Sequence, residues 1–287
     1  MTTRSATHRH RPLAAGAPVP YPAAVTTPHR GFARYVAIGD SSTEGLDDPD
    51  GAGGFRGWAD RLAEHVAAVN PELAYANLAV RGKSAAEIAA AQLAPALALR
   101  PDLATVVAGM NDLLRRDFDA ARVAGEVATM VHALVDVGAE VITFTIPDVS
   151  RRMRLGRALS ARTAALNVEL RRATARPGVR LLDLASYELA HDPRMWAVDR
   201  LHGNPEGHAR IAAALAHLLD LPDAEPGTLS GPLPPPPSRR RRDAVADDLT
   251  WAARYVLPWA WRRLRGRTMG DGRTGKRPTL TPVRRQR

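Results

Sequence analysis

The chain contains no cysteine, which excludes disulfide bonds, thiol nucleophiles and thiolate metal ligands. It has no apolar run close to the ~20 residues that a membrane-spanning helix needs. The N-terminal segment is rich in proline and alanine and lacks the continuous apolar stretch of a secretory signal. These absences predict a cytoplasmic protein without thiol chemistry.

The net charge of +10 is distributed unevenly along the 287 residues. Residues 1–34 contain five arginines and no acidic residue, and residues 222–287 contain 15 basic and 6 acidic residues. The segment between them, 35–221, has 20 basic and 24 acidic residues and is therefore mildly acidic. Because the positive charge is confined to the two ends, it does not indicate a globular domain that binds nucleic acid, and no nucleic-acid partner is expected.

Residues 35–221 alternate between short apolar runs and segments with helical periodicity. The predicted strands are 35–38, 74–79, 103–107, 140–145 and 179–182, and the predicted helices are 57–69, 84–93, 119–137, 158–175 and 205–219. Strands that alternate with helices form parallel sheets covered on both faces. The pattern therefore predicts a three-layer α/β/α domain with a five-stranded parallel sheet.

The segments outside this domain have a different composition. Residues 1–34 contain five prolines without periodicity and are predicted to be a flexible basic arm. Residues 222–242 end in four prolines, a serine and four arginines and are predicted to be a stiff linker. Residues 243–287 form a basic tail with a helical pattern to residue 265, interrupted by Pro258. No regular structure is expected after that pattern.

Distinctive polar and glycine residues lie at the ends of the predicted strands and before the last predicted helix. They are Asp40 and Ser41 after the first strand, Gly82 after the second, Asn111 and Asp112 after the third, and Asp199 and His202 near the last helix. Ligands bind outside the carboxyl ends of parallel strands, so these positions predict a functional site.

These residues can supply the four functions that acyl transfer needs: a nucleophile, a base, a group that orients the base, and donors for the oxyanion. Ser41 follows a strand directly, which suits a nucleophile. Asp199 precedes His202 by three residues, so in a turn its carboxylate can reach Nδ1–H and leave Nε2 toward Ser41. Gly82 permits close approach of the backbone to substrate, and Asn111 offers a neutral amide donor.

Each of these residues also has a simpler interpretation when it is taken alone. Ser41 could cap a helix, Gly82 could serve only a turn, and Asn111 could satisfy backbone groups of its loop. Asp112 is expected to support its loop rather than to act directly, and Asp40 is likewise predicted to be a supporting residue.

In their order and position, the four blocks resemble those of the SGNH/GDSL hydrolase family. The matching blocks are Gly39-Asp40-Ser41, Asn77 to Gly82, Gly109-Met110-Asn111-Asp112 and Asp199 to His202, and the resemblance covers roughly 35–221. It implies a flavodoxin-like sheet and a serine esterase or acylhydrolase with Ser41, His202 and Asp199 as its triad. It further implies an oxyanion hole made by Ser41 N–H, Gly82 N–H and Asn111, with no metal or organic cofactor. The implied substrate is a small-molecule or lipid-like ester, and the family spans lipases, esterases, thioesterases and deacetylases.

Two other classes of function compete with this hypothesis. The loop 39–45 could cradle phosphate or a nucleotide, but it lacks the G-x-G-x-x-G pattern and the Walker lysine. It also places Asp40 and Glu44 where a phosphate would sit. The third hypothesis is a scaffold that binds partners through its tail without turnover.

Two further patterns carry an expectation of their own. The acidic residues Asp47, Asp48 and Asp50 are expected to form a solvated turn rather than a calcium site. The tail carries aromatic side chains among arginines, which suggests a helix lying on an anionic membrane, a segment folded back on the domain, or an unfolded tail. The residues of that pattern are Trp251, Arg254, Tyr255, Trp259, Trp261, Arg262, Arg263, Arg265 and Arg267.

Overall fold

The computed structural model describes residues 31–148, 150, 156–222, 224–233, 249–265 and 267–283. Of the predicted N-terminal arm, only 31–34 belong to these residues. Residues 234–242 of the predicted linker also lie outside them.

The strands form one six-stranded sheet in the order β5-β4-β3-β1-β2-β6. They are β1 (Arg34–Gly39), β2 (Ala74–Asn77), β3 (Leu103–Val107), β4 (Glu140–Phe144), β5 (Val179–Leu182) and β6 (Arg277–Pro282). The first five are parallel and follow the flavodoxin-like order, as predicted. The sixth pairs antiparallel with β2, so the predicted count of five strands is corrected to six.

Helices cover both faces of this sheet. In chain order the α-helices include α1 (Ser41–Glu44), α2 (Gly57–Val69), α3 (Ala85–Ala98), α4 (Met110–Leu113), α5 (Ala120–Asp136), α6 (Gly156–Ala173), α7 (Pro205–Leu218) and, in the tail, α8 (Leu257–Leu264). On one face α2 and α7 pack around Tyr35 and Ala37, and on the other α3, α5 and α6 pack around Val36 and Ile38. The alternation along β1 is the period of two expected for a strand that is buried on both sides.

Local capping signals determine where the helices beside the site begin. Ser84 and Glu87 form a capping box at the start of α3, in which Ser84 N–H donates to Glu87 Oε2 at 2.9 Å. Asn204 caps α7 by accepting the Gly207 N–H at 2.9 Å, and Pro205 occupies the first turn. These caps hold the loops that precede α3 and α7 in defined positions.

The C-terminal tail packs on the domain. Residues 249–264 are helical and include a π-helical turn, Ala252–Val256, just before Pro258. Lys276 then donates to the carbonyl oxygens of Phe55 and Arg56 at 2.8 and 2.7 Å and lies 3.0 Å from Asp60 Oδ2. These contacts join the tail to the start of α2.

The expectation of no regular structure after residue 265 is wrong, because β6 lies there. The strand contains Pro278 and Pro282, which are rare in strands except at sheet edges, so its sequence carried no strand signal. Its partner β2 lies far away in the chain, and only the folded structure brings the two together. Among the described residues, no helix is long and apolar enough to cross a membrane.

Candidate active site

The turn after β1 presents Ser41 at the carboxyl edge of the sheet. Asp40 caps α1 by accepting the Ser42 N–H at 3.1 Å, so Ser41 is the first residue of the helix and not its cap. Gln92 of α3 binds the end of β1 through two hydrogen bonds. Its side-chain amide accepts the Gly39 N–H at 2.8 Å and donates to the Gly39 carbonyl at 2.9 Å. The side chain of Gln92 thus fixes the residue two positions before Ser41, a role that no sequence signal indicated.

Asp199 and His202 lie on a tight turn that faces Ser41. Asp199 Oδ1 accepts the backbone N–H groups of Leu201 and His202 at 3.0 and 3.1 Å. Its Oδ2 lies 2.5 Å from His202 Nδ1, and His202 Nε2 lies 2.7 Å from Ser41 Oγ. The structure therefore brings the three residues together in one continuous chain of hydrogen bonds, although 161 positions separate Ser41 from His202.

The protonation of this group is governed by burial and by carboxylates. Burial alone would lower the pKa of His202, but hydrogen bonds and charges from Asp199 and Asp47 outweigh it and raise that pKa to about 9. The pKa of Asp199 is lowered: burial opposes the shift, and the bonds from His202 and from the turn's N–H groups overcome it. The site thus favours a protonated His202 hydrogen-bonded to an ionised Asp199.

Gly82 lies on the loop after β2, and Asn111 lies in α4, the short helix after β3. Gly82 has φ +78°, and among the described residues neither its N–H nor that of Ser41 donates a hydrogen bond. The Asn111 amide, in contrast, donates to Asp40 Oδ2 at 2.9 Å and to the Lys83 carbonyl at 3.1 Å. Both of its amide protons are therefore engaged, and the role of Asn111 as an oxyanion donor stays a prediction.

Two acidic residues tie these loops to one another. Glu44 accepts the Arg81 N–H at 2.9 Å and forms an ion pair with its guanidinium, which connects α1 to the residue before Gly82. Asp112 accepts the Ala85 N–H at 2.9 Å and joins α4 to the start of α3. The supporting role of Asp112 stays a prediction, and Glu44 has a structural role that sequence reasoning did not identify.

Asp40 is buried next to the nucleophile. Burial raises its pKa to about 6, against the lowering effect of its bonds to Ser42 and Asn111 and of the nearby His202. Asp40 thus connects the capped turn of Ser41 to the Asn111 loop.

The expected solvated acidic turn is only partly solvated. Asp48 is 1% exposed and accepts hydrogen bonds from Arg61 at 2.8 and 2.9 Å and from Gly57 N–H at 3.0 Å. Asp47 Oδ2 lies 3.5 Å from His202 Nδ1. The expectation fails for Asp48, because Arg61 and the Gly57 N–H of α2 bind its carboxylate, whereas Asp50 is exposed.

Asp47, Asp199 and His202 are also the group of described residues whose ligand atoms, within 4.8 Å of one another, could approach a metal ion. The 2.5 Å separation of Asp199 Oδ2 from His202 Nδ1 is a hydrogen-bond distance with no space for an ion between the atoms. Asp199 and His202 are therefore joined by a hydrogen bond, and Asp47 lies 3.5 Å from the same nitrogen.

The tail contacts the turn that carries Asp199. Trp251 Nε1–H donates to the Asp199 carbonyl at 2.8 Å, and the Arg200 guanidinium lies 4.8 Å from the centre of the Trp251 ring. Arg200 itself has φ +65°, an uncommon conformation for a residue with a side chain. Trp251 of the tail therefore contacts the domain, and the membrane contact of the tail stays a prediction.

The comparison with protein families gives a match over most of the domain. The model of the GDSL-like lipase/acylhydrolase family matches residues 37–210, which is more than half of the chain. No curated protein sequence matches the chain.

Solved structures share the fold at low sequence identity. The α/β hydrolase LAE5, from the metagenome of Lake Arreo in Spain, is 23% identical, with a TM-score of 0.55 over 67% of this chain and 99% of its own. The lipase Lip_vut3 from a goat rumen metagenome is 16% identical, with a TM-score of 0.55 over 67% and 100%. A variant of the acetyl xylan esterase Axe2 from Geobacillus stearothermophilus is 16% identical, with a TM-score of 0.51 over 66% and 95%. The chain belongs to the GDSL-like lipase/acylhydrolase family and is a hydrolase that acts on ester bonds.

Proposed function

We propose that the protein hydrolyses carboxylic esters through a covalent acyl-enzyme on Ser41, with His202 as general base and Asp199 as the group that orients it. The observation that carries the proposal is the continuous chain from Ser41 Oγ to His202 Nε2 and from His202 Nδ1 to Asp199 Oδ2, with distances of 2.7 and 2.5 Å. A nucleophile bonded to a base that is itself oriented by a carboxylate is the arrangement that activates a serine hydroxyl.

The first half of the reaction acylates the enzyme. His202 Nε2 takes the Ser41 proton as Oγ attacks the ester carbonyl, and the resulting imidazolium is stabilised by Asp199. When the tetrahedral intermediate collapses, the C–O bond to the alcohol breaks and His202 donates the proton to the departing oxygen. In the second half, water attacks the acyl carbonyl and loses a proton to His202. The bond between the acyl carbon and Ser41 Oγ then breaks, His202 returns the proton to Oγ, and the carboxylic acid leaves.

The oxyanion of the intermediate needs donors aimed at one point. The N–H groups of Ser41 and Gly82 suit this role, since neither has an acceptor among the described residues. Asn111 can join them only by giving up one of its two bonds, to Asp40 or to the Lys83 carbonyl. We therefore assign Ser41 and Gly82 as preformed donors and Asn111 as a donor recruited when the oxyanion forms.

The substrate class follows from the family at a coarse level only. We propose a small-molecule or lipid-like ester, since one structural neighbour is named a lipase and another an acetyl xylan esterase. The cytoplasmic location and the lack of a nucleic-acid partner stay predictions of the sequence.

Hydrolysis of p-nitrophenyl butyrate by wild type, Ser41→Ala and Ser42→Ala tests the proposal. Ser42 is the matched control, because it is the neighbouring serine on α1. We expect turnover and a mass adduct from a fluorophosphonate in wild type and Ser42→Ala, and neither in Ser41→Ala. A folded wild type that shows no turnover and no adduct contradicts the proposal.

A second proposal concerns the partner of the tail: we propose that residues 249–265 contact an anionic membrane surface. Leu249, Leu257 and Trp261 are 69%, 64% and 57% exposed, which is unusual for large apolar side chains. Arginines accompany them, and the Arg265 guanidinium lies 4.2 Å from the Trp261 ring centre. Apolar side chains among arginines suit a surface of acyl chains under anionic headgroups.

Co-sedimentation with vesicles of phosphatidylcholine, with and without phosphatidylglycerol, tests this contact. We expect salt-sensitive binding to the anionic vesicles, lost in Leu257→Glu/Trp261→Glu. Val137→Glu is the matched control, since Val137 is an exposed apolar residue at the far end of α5. Equal sedimentation of wild type and the double variant contradicts the membrane contact.

A further inference from the structure

A second carboxylate approaches the same nitrogen of His202 that Asp199 contacts. Asp47 Oδ2 lies 3.5 Å from His202 Nδ1, and the Asp47 side chain is 38% exposed. Asp199 Oδ2 lies 2.5 Å from that atom. Two carboxylates from opposite ends of the domain sequence thus converge on one imidazole N–H.

The loop around Asp47 is anchored on both sides of this residue. Leu46 is buried, and its carbonyl accepts a hydrogen bond from His208 Nε2 at 3.0 Å. Asp48 is buried and forms an ion pair with Arg61 at 2.8 Å. Between these anchors Asp47 has φ +67°, a conformation that costs free energy for a residue with a side chain. The fold holds this residue in an uncommon conformation with its carboxylate beside His202.

The anchored loop is also connected to the nucleophile. Leu46 N–H donates to the Ser41 carbonyl at 3.2 Å, and Asp48 N–H donates to the Gly45 carbonyl at 3.2 Å. The position of Asp47 is therefore fixed relative to Ser41, whereas Asp199 belongs to the turn of His202 itself.

Other titratable or charged side chains near His202 have partners of their own. Asp40, from the nucleophile turn, has its carboxylate bonded to Ser42 N–H and to Asn111. His208 of α7 has both ring nitrogens bonded to backbone groups, and burial lowers its pKa to about 4. Arg200, on the same turn as His202, stacks on Trp251.

We infer that Asp47 is a second carboxylate partner of His202, a positioning residue that shares with Asp199 the stabilisation of the imidazolium. The effect of Asp47 on catalysis rests on the proposed function. Its effect on the pKa of His202 rests only on the distance between the two side chains. Asp47 lies 3.5 Å from Nδ1 on the loop that follows Ser41, so loss of Asp199 leaves one carboxylate near the imidazole. Substitution of Asp47 should therefore lower kcat only slightly while Asp199 is present, and much more when Asp199 is also substituted.

NMR titration of the His202 imidazole in the full chain tests the electrostatic part without any turnover. Asp47→Asn keeps the size of the side chain, and asparagine tolerates positive φ. A carboxylate close to an imidazolium raises its pKa by about 1 or more, so we expect Asp47→Asn to lower the pKa of His202 by about 1. Asp50→Asn is the matched control, because Asp50 is in the same loop and its carboxylate accepts the Ala52 and Gly54 N–H groups, both at 2.8 Å. An unchanged pKa in Asp47→Asn overturns the inference, whether or not the enzyme turns over the test ester.

Steady-state kinetics of a double-mutant cycle tests the catalytic part. We expect Asp47→Asn to lower kcat about threefold in wild type and tenfold or more in the Asp199→Asn background, since coupled residues are not additive. Equal fold-losses in the two backgrounds overturn the shared role of the carboxylates. Failure of the proposed function has a different signature, namely a wild type that neither turns over ester nor reacts at Ser41 with the fluorophosphonate.

Discussion

Activity should depend steeply on pH, because His202 can accept the Ser41 proton only when it is neutral. Its pKa is raised to about 9 from an ordinary 6.5, a difference that corresponds to about 3 kcal/mol in favour of the imidazolium. A raised pKa keeps the base protonated to higher pH, so activity should increase as pH rises. At pH 7 about one molecule in a hundred then has the neutral imidazole, and kcat/KM should rise about tenfold per pH unit until it levels near pH 9.

The measurement is kcat/KM for p-nitrophenyl butyrate between about pH 6 and pH 10, since kcat/KM reports the ionisation of the free enzyme. Ser41→Ala at each pH supplies the spontaneous hydrolysis to be subtracted. Circular dichroism over the same range separates ionisation of His202 from unfolding.

A plateau already reached at about pH 7.5, with a folded protein and active Ser41, would refute the reasoning. It would mean that burial of His202 offsets the two carboxylates, so that the imidazole titrates near its ordinary value. The same experiment on Asp47→Asn then shows how much of the shift that residue carries.

Three further predictions concern residues that hold the site in place. Gly57→Ala should lower the free energy of unfolding by about 2–4 kcal/mol, because Gly57 has φ +72° and a Cβ there would lie 2.3 Å from the Gly45 Cα. The control Gly125→Ala, on the exposed face of α5 with nothing within 4 Å of its Cβ, should raise it by about 0.5–1 kcal/mol in the same urea titration. His208→Phe should lower the free energy of unfolding by about 2–5 kcal/mol in chemical denaturation, because the buried Trp58 N–H and Leu46 carbonyl lose their hydrogen bonds to the ring. A decrease below about 1 kcal/mol would contradict this prediction. Trp251→Ala should lower kcat about tenfold and Trp251→Phe less, as only the former removes the ring under Arg200; unchanged kinetics in both would show that the tail does not position the turn.

The strands and helices of residues 35–221 were predictable because their patterns are local. The periodicity of α2 predicted its bounds, 57–69, and the run at 103–107 predicted β3. The capping box of Ser84 and Glu87 was recognisable from spacing alone. In each case the burial of one face requires an apolar residue at a fixed spacing, and that spacing is visible in the chain.

The candidate site was predictable in part for the same reason. Ser41, Gly82 and Asn111 follow parallel strands whose carboxyl ends meet at one edge, and the spacing of Asp199 and His202 suits one turn. The order of these blocks was enough to indicate acyl transfer. It did not show that both amide protons of Asn111 are engaged, because the acceptors lie on two other loops.

The sequence by itself determined the class of fold, the family and the candidate catalytic residues, since these depend on local periodicity and on short motifs in order. Only the tertiary structure decided what surrounds them: Gln92 on the end of β1, Asp47 on His202, Trp251 on the Asp199 turn, and β6 beside β2. Each of these contacts joins residues far apart in the chain, and none has a pattern that marks its partner. Such contacts form because folding brings donors, acceptors and charges within 3–4 Å of one another, and that proximity is a property of the packed domain.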